Sequence, residues 1–440
     1  MTANNNFLFG VSSAAFQIEG DDGRQGRGAS VWDEFCKRSN TIYSNQNAKI
    51  AIDHYNRYKE DVKLMSEAGF NAYRFSVSWS RLLPDGTGRV NLQGVDFYNH
   101  LIDELLKFGI EPVLTLYHWD LPERLSERGG FRNYDFPNWF SDYAELVVKK
   151  FGDRVNWFIP FNEPINAIHS SYRSGNFAPG YQLNELQTLL CLRNMVLAHD
   201  FSAEIIRGNS AKVHIGTAMS TFEEYPYVLT DKCIFTAKKR FFEKDSLTES
   251  VDVYLDPIYT GNYPERVYTR YPEFYEVTKD DNLKKYCSYT DFIGANNYSG
   301  IPIDETGGIV EREAGFPENG MGNAIDHNGL YWECKFLSER YSLPVVITEN
   351  GLASEDLIAS DGKVHDSNRV DYLQKSIKIV EQLKKEIDLK GYFIWSFCDN
   401  FEWLCGYSKR FGVVYIDYKT LNRIPKDSYF FIKKYLSENK

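Results

Sequence analysis

The chain has 440 residues, 43% hydrophobic and 25% charged, and 50 Lys and Arg against 61 Asp and Glu give it a net charge of −11. That length supports a large core without disulfides or metals, and the acidic balance, spread along the chain, argues against nucleic acid or an anionic membrane as a partner, since both call for basic surface. The seven cysteines are widely spaced and form no C-x-x-C, a pattern expected of reduced thiols in a cytoplasmic protein. The start, MTANNNFLFG, lacks the basic and apolar regions of a signal peptide, and no apolar run approaches transmembrane length.

In chain order, a first strand is predicted from Phe7. Tyr58, Val62 and Met65 then lie at helical spacing, and that pattern stops at Gly69, before the strand-like run Ala72 to Val77. Val95, Tyr98, Ile102, Leu105 and Leu106 mark a second helix, ended by Gly109 ahead of the run Glu111 to Tyr117. Further strands are predicted near Asn156, Lys212, Phe292, Val345 and Gly391. Helical stretches between them include 139–151, 185–207, 330–341 and 372–386. Eight strands alternating with helices predict an α/β fold, a single TIM (β/α)8 barrel with long active-site loops, residues 1–440 forming one catalytic domain. The alternative, an open doubly wound sheet, usually carries a Gly-rich phosphate turn after its first strand, and Gly10-Val11-Ser12-Ser13 is not one. The polar stretch 40–47 fits neither helix nor strand. The Gly- and Pro-containing stretch 304–323 follows the sixth strand and is a candidate wall or lid.

Two strands deliver a carboxylate at their C-terminal ends, the end of a barrel that carries active sites. One runs from Val155 to Pro160 and leads into Phe161-Asn162-Glu163-Pro164. The other runs from Pro344 to Thr348 and leads into Glu349-Asn350-Gly351. Either acid alone is unremarked among 61 acidic residues; two on separate strands, each beside an Asn, match what a glycosidic bond requires, an acid to protonate the leaving oxygen and a carboxylate at the oxocarbenium-like centre. Arg74 is positioned to keep one carboxylate ionised, and Tyr298 to donate to it. Gln17, His118, Trp119, Asn296, Trp395, Glu402 and Trp403 follow other strands, and such side chains hydrogen-bond hydroxyls or stack on C–H faces. The 15% aromatic content fits both a rich core and a ring-lined sugar site.

Seven ordered motifs then carry a resemblance that runs nearly end to end. FLFGVSSAAFQIEG, DHYNRYKEDV, YRFSVSWSRLLPDG, TLYHWDLP, FNEP, ITENG and WSFCDNFEWLCGYSKRFG together resemble glycoside hydrolase family 1, the β-glucosidase family. The resemblance implies a retaining exo-β-glycosidase, with Glu163 as acid/base and Glu349 as nucleophile. It also implies that Asn162 contacts the sugar 2-hydroxyl, and that Arg74, Asn296 and Tyr298 surround the nucleophile. Gln17, His118, Glu402 and Trp403 would bind the other hydroxyls, Trp395 would lie under the ring, and Phe411 near the 6-hydroxyl. A small-molecule or oligosaccharide β-glycoside is the implied partner; no metal and no cofactor is implied, and the sequence carries no H-E-x-x-H or phosphate loop.

The chain departs from the family pattern at Ile165, Phe177, Asn297 and Asn323. Ile165 and Asn323 stand where Trp is usual, and with Phe177 they are expected near the leaving group, where Tyr172 or Phe177 would refill the space. Two rival readings remain. A 6-phospho-β-glycosidase would resemble this chain around Lys409, but carries Ser at Glu402 and Tyr at Phe411, and a carboxylate at Glu402 repels a phosphate. A sugar-binding protein without catalysis would usually lack one of the two glutamates, and both are present.

Overall fold

Eight parallel strands close on themselves: β1 (Leu8–Ser13), β2 (Ala72–Ser76), β3 (Glu111–Tyr117), β4 (Trp157–Phe161), β5 (His214–Ser220), β6 (Phe292–Asn297), β7 (Val345–Asn350) and β8 (Leu389–Trp395). This is the (β/α)8 barrel expected from the alternation of elements. The computed structural model describes residues 7–439 apart from 22, 24, 211 and 222. Residues 1–6, on which the signal-peptide reading rests, lie outside the described residues.

Leu8, Ala72, Val113, Ile159, Ala218, Phe292, Val346 and Phe393, one from each strand, form a buried cluster of their own. They fill the barrel interior, so the barrel is a packed core and its chemistry belongs at the C-terminal rim. A far larger apolar cluster joins the outer strand faces to the helices. Major helices following the strands are His54–Ala68, Leu92–Lys107, Phe136–Phe151, Glu185–Asn209, Val251–Thr260, Asn328–Tyr341, Ser367–Glu386 and Asp427–Glu438. Several begin earlier than the apolar pattern predicts, as at Ser367 against Tyr372 and His54 against Tyr58. Their first turns are largely polar, and apolar periodicity does not register such turns.

Rim loops carry the remaining irregular chain. The stretch 40–47 holds a single 3-10 turn, Tyr43–Asn45, and Gln46 accepts the Tyr407 amide at 2.7 Å. Two short parallel strands, Glu224–Pro226 and Ile301–Ile303, pair on the rim after β5 and β6. All seven cysteines are free thiols. Among the described residues no helix is long and apolar enough to cross a membrane.

Charge also enters the packing. Asp61 is fully buried, faces His54 Nδ1 at 2.7 Å, and accepts from Arg423 Nε at 2.8 Å and Nη2 at 3.0 Å. It ties the first long helix to the strand Asn422–Pro425. Removing one member of such a pair strands the other charge without water. Asp61→Ala is expected to cost about 3–5 kcal/mol, seen as a lower urea midpoint for loss of tryptophan fluorescence.

Candidate active site

Arg74 lies on β2, two residues beyond Ala72 and therefore on the same, inward face. It is 1% exposed, so its guanidinium depends on protein acceptors. Nη1 donates to Glu349 Oε1 at 2.6 Å and to the Thr348 carbonyl at 3.2 Å, Nη2 to Asn162 Oδ1 at 2.6 Å, and Nε to Thr115 Oγ1 at 3.1 Å. The other Glu349 oxygen accepts the Tyr298 hydroxyl at 2.5 Å.

Glu349 reaches that position through a shift in strand register. Simple alternation from the inward Val346 would point Thr348 and Asn350 inward and Glu349 outward. Between β6 and β7, however, the pairing moves from Ala295↔Ile347 to Asn296↔Glu349, and on the β8 side from Tyr392↔Ile347 to Ile394↔Asn350. Both neighbours meet one extra residue in β7. Such a bulge re-aims the side chain that follows it, turning Glu349 to Arg74.

Glu163 follows β4 in a left-handed backbone conformation, φ 46°, which costs a non-glycine residue free energy and is held here by the Glu163 amide donating to the Ala218 carbonyl at 2.7 Å. Asn296 donates to Glu163 Oε1 at 2.8 Å and Asn166 to Oε2 at 3.2 Å. Burial and the charge of Glu349 push the Glu163 carboxyl up to about 8. Burial also raises Glu349, but Arg74 and Tyr298 oppose it. The proton therefore rests on Glu163, which touches amides, while Glu349 touches a cation.

A cavity of about 330 Å³ opens onto both carboxylates. His118, Trp119, Asn162, Tyr298, Trp395, Glu402, Trp403 and Phe411 line it. The Trp395 and His118 rings stack at 5.7 Å, Trp403 packs on Trp119 at 4.8 Å, and Phe411 meets Tyr298 edge-on. Burial and Arg74 hold the His118 imidazole well below its ordinary range, leaving it neutral, with Nε2 3.1 Å from Asn162 Nδ2. Gln17 lies fully buried behind this wall; its Nε2 donates to Asn400 Oδ1, the Phe401 carbonyl and Glu402, while its Oε1 has no hydrogen-bond partner among the described residues. Burial, reinforced by Glu349 and Glu163, raises Glu402 to about 8. These residues thus converge on one rim. Among the described residues, no group of three or more His, Cys, Asp or Glu is arranged to hold a metal.

The expected leaving-group side needs one correction. Phe177 and Asn323 line the cavity, but Ile165 is buried in the apolar core, because it sits in the first turn of the helix Pro164–Ile168, which packs inward. Tyr172 is buried as well, whereas Phe177 packs on Trp119 and fills the wall. The loop 304–323 contributes Asn319, Met321 and Asn323, as expected of a wall. Ser220, Thr221 and Glu223 also line the cavity and were not anticipated. Applying the rim rule to the end of the fifth strand, His214–Ser220, would have found them.

The glycosyl hydrolase family 1 model matches residues 2–440. The chain belongs to glycosyl hydrolase family 1. Curated family 1 relatives include Beta-glucosidase A of Thermotoga maritima, 39% identical and covering 98% of this chain and 97% of the relative. Beta-glucosidase A of Acetivibrio thermocellus is 37% identical and covers 100% and 99%. The solved family 1 β-glucosidase from Thermotoga maritima in complex with isofagomine lactam matches with a TM-score of 0.90 at 39% identity, over 99% of this chain and 98% of that one.

Within this family 1 site, the Glu163 proton depends on the neighbouring charge. Carboxyl carbon NMR should show a buried glutamate titrating near 8, assigned by its loss in Glu163→Gln. In Glu349→Gln the like charge is gone, so the Glu163 midpoint should move to lower pH. An unmoved midpoint would mean that burial alone sets it.

Proposed function

We propose that the chain is a retaining exo-β-glycosidase, a β-glucosidase that releases terminal non-reducing β-D-glucosyl residues through a covalent glycosyl-enzyme intermediate. One observation carries the reading: two buried carboxylates face a single cavity, one held by a guanidinium and a phenol, the other by amides alone. Glu163, protonated near neutral pH, donates its proton to the glycosidic oxygen as Glu349 attacks the anomeric carbon. The leaving group departs as an alcohol and the sugar remains as an ester on Glu349. That ester has no charge, so the repulsion that raised Glu163 falls away and its carboxylate accepts the proton of the attacking water. Water adds to the anomeric carbon from the face the leaving group vacated, so configuration is retained.

Asn162, between Arg74 and His118, is assigned to the 2-hydroxyl. Gln17, whose buried Oε1 lacks a partner among the described residues, is assigned with His118, Glu402 and Trp403 to the far hydroxyls. Trp395 is the platform beneath the ring, and Phe411 lies beside the 6-hydroxyl. The relatives named beta-glucosidase support glucose as the glycone. The closed barrel supports residues 1–440 as one catalytic unit, and the free thiols support a cytoplasmic setting.

A 2-deoxy-2-fluoro-β-glucoside with a good leaving group should inactivate the enzyme, and peptide mapping should find the label on Glu349. A label on another carboxylate overturns the assignment. Glu163→Ala should lose about 10²–10⁴-fold on substrates with poor leaving groups. It should lose far less on a dinitrophenyl glucoside, whose leaving group departs without protonation. Added azide should restore turnover as a β-glucosyl azide; uniform loss without azide rescue removes Glu163 from the acid/base role.

A further inference from the structure

The cavity lining comes from two unlike stretches of chain. Trp395, Glu402, Trp403 and Phe411, at and after the end of β8, are mostly aromatic. The end of β5 with the chain after it, and the loop before Asn328–Tyr341, contribute a mostly polar set: Ser220, Thr221, Glu223, Asn319 and Asn323. Within it Glu223 stands out as a fourth carboxylate of the cavity, additional to the catalytic pair and to Glu402. We propose that Glu223 is a specificity-determining residue of the leaving-group side, selecting a saccharide leaving group that offers it a hydroxyl donor. The inference rests on the proposed β-glucosidase reading and names the leaving group that the reading lacks.

The geometry of Glu223 divides its two oxygens. Its backbone is left-handed, φ 56°, with the amide donating to Thr221 Oγ1 at 3.2 Å. Oε1 accepts two consecutive amides at the end of β6, Tyr298 N at 2.6 Å and Ser299 N at 2.9 Å. Oε1 is thus committed to the backbone and fixes the side chain in one pose. Oε2 receives no hydrogen bond among the described residues, although Glu223 lines the cavity. Such an oxygen is open to a substrate hydroxyl, which it accepts in a charge-assisted bond. An aryl leaving group offers no donor there and leaves the oxygen desolvated and unpaired, an effect that discriminates strongly between substrates. Burial pushes the carboxyl up to about 7, against the pull of its two amides. The neighbouring hydroxyls and amides of Ser220, Thr221, Asn319 and Asn323 supply the mixed donors and acceptors that a pyranose ring requires.

The same contacts fix Tyr298, whose hydroxyl supports Glu349, so the test must separate selection from positioning. Glu223→Gln keeps a carbonyl oxygen for the two amides and replaces the second acceptor with an amide donor; Glu223→Ala removes both. The substrates are cellobiose, p-nitrophenyl β-glucoside and β-glucosyl fluoride, compared by kcat/KM. Glu223→Gln should lose tenfold or more on cellobiose and less than threefold on glucosyl fluoride, whose leaving group is a single atom, with p-nitrophenyl β-glucoside following the fluoride; Glu223→Ala, which also frees Tyr298, should lose on all three and at least tenfold more on cellobiose than on the fluoride. Turnover of the fluoride certifies a folded site, and if Glu223→Ala does not fold, Glu223→Gln still decides. Equal losses on all three substrates would reduce Glu223 to a positioning residue, and unchanged cellobiose turnover would remove it from the leaving-group side. Failure of the unsubstituted enzyme on all three glucosides would instead strike the β-glucosidase reading itself.

Discussion

A guanidinium buried inside a barrel has no water to solvate it, and the surrounding strands must supply every acceptor. Arg74 is in that position, and its four acceptors come from Thr115 on β3, Asn162 after β4, and Thr348 and Glu349 on β7. Leaving such a charge unpaired costs about 3–5 kcal/mol, so the cation fixes where these side chains sit. It holds Glu349 by one oxygen, and it orients Asn162, which in turn meets His118 and Asn296. The rim is therefore a connected polar network with a cation at its centre, and such networks hold their members in one arrangement when every member is satisfied.

The two carboxylates inherit their difference from this centre. Glu349 contacts Arg74 directly and Glu163 does not, although Asn296 links them by donating to Glu163 and pairing in register with Glu349. A shared environment would have left the proton divided between two like groups. The asymmetry comes from which strand carries the Arg and from the backbone at Glu163, whose left-handed conformation turns it from Arg74 toward Asn296 and Asn166. Local strain at one residue is thereby stabilised by the network around it.

How much of this was legible in the sequence follows from what each signal encodes. Gly69 and Gly109, each ending a helix before an apolar run, made the alternation visible, and the alternation gave the barrel. The rule that barrels work at strand C-termini then collected Arg74, His118, Glu163, Asn296, Glu349 and Trp395 from separate strands. Side-chain direction was less accessible. Ile165 was placed beside the leaving group by motif position, yet the helical turn after Pro164 buries it. Glu223 escaped because no motif flags it and the rim rule was not carried to the end of the fifth strand; its left-handed backbone, which sets it against Tyr298 and Ser299, leaves no trace in periodicity. The extra residue in β7 was also hidden, because periodicity counts residues and cannot say which of them a neighbouring strand skips.

That skipped residue bears on how such a site can be moved. The direction of Glu349 is set by a count along the backbone, and the identity of the side chain plays no part in it. Grafting Arg74, Tyr298 and Glu349 onto another eight-stranded scaffold whose seventh strand pairs without the offset would deliver the carboxylate to the helical layer, opposite the cavity. The transferable unit is therefore an indel together with a residue, and a chain that shed one residue between Ile347 and Glu349 would retain both glutamates in its sequence while presenting only one of them to a sugar.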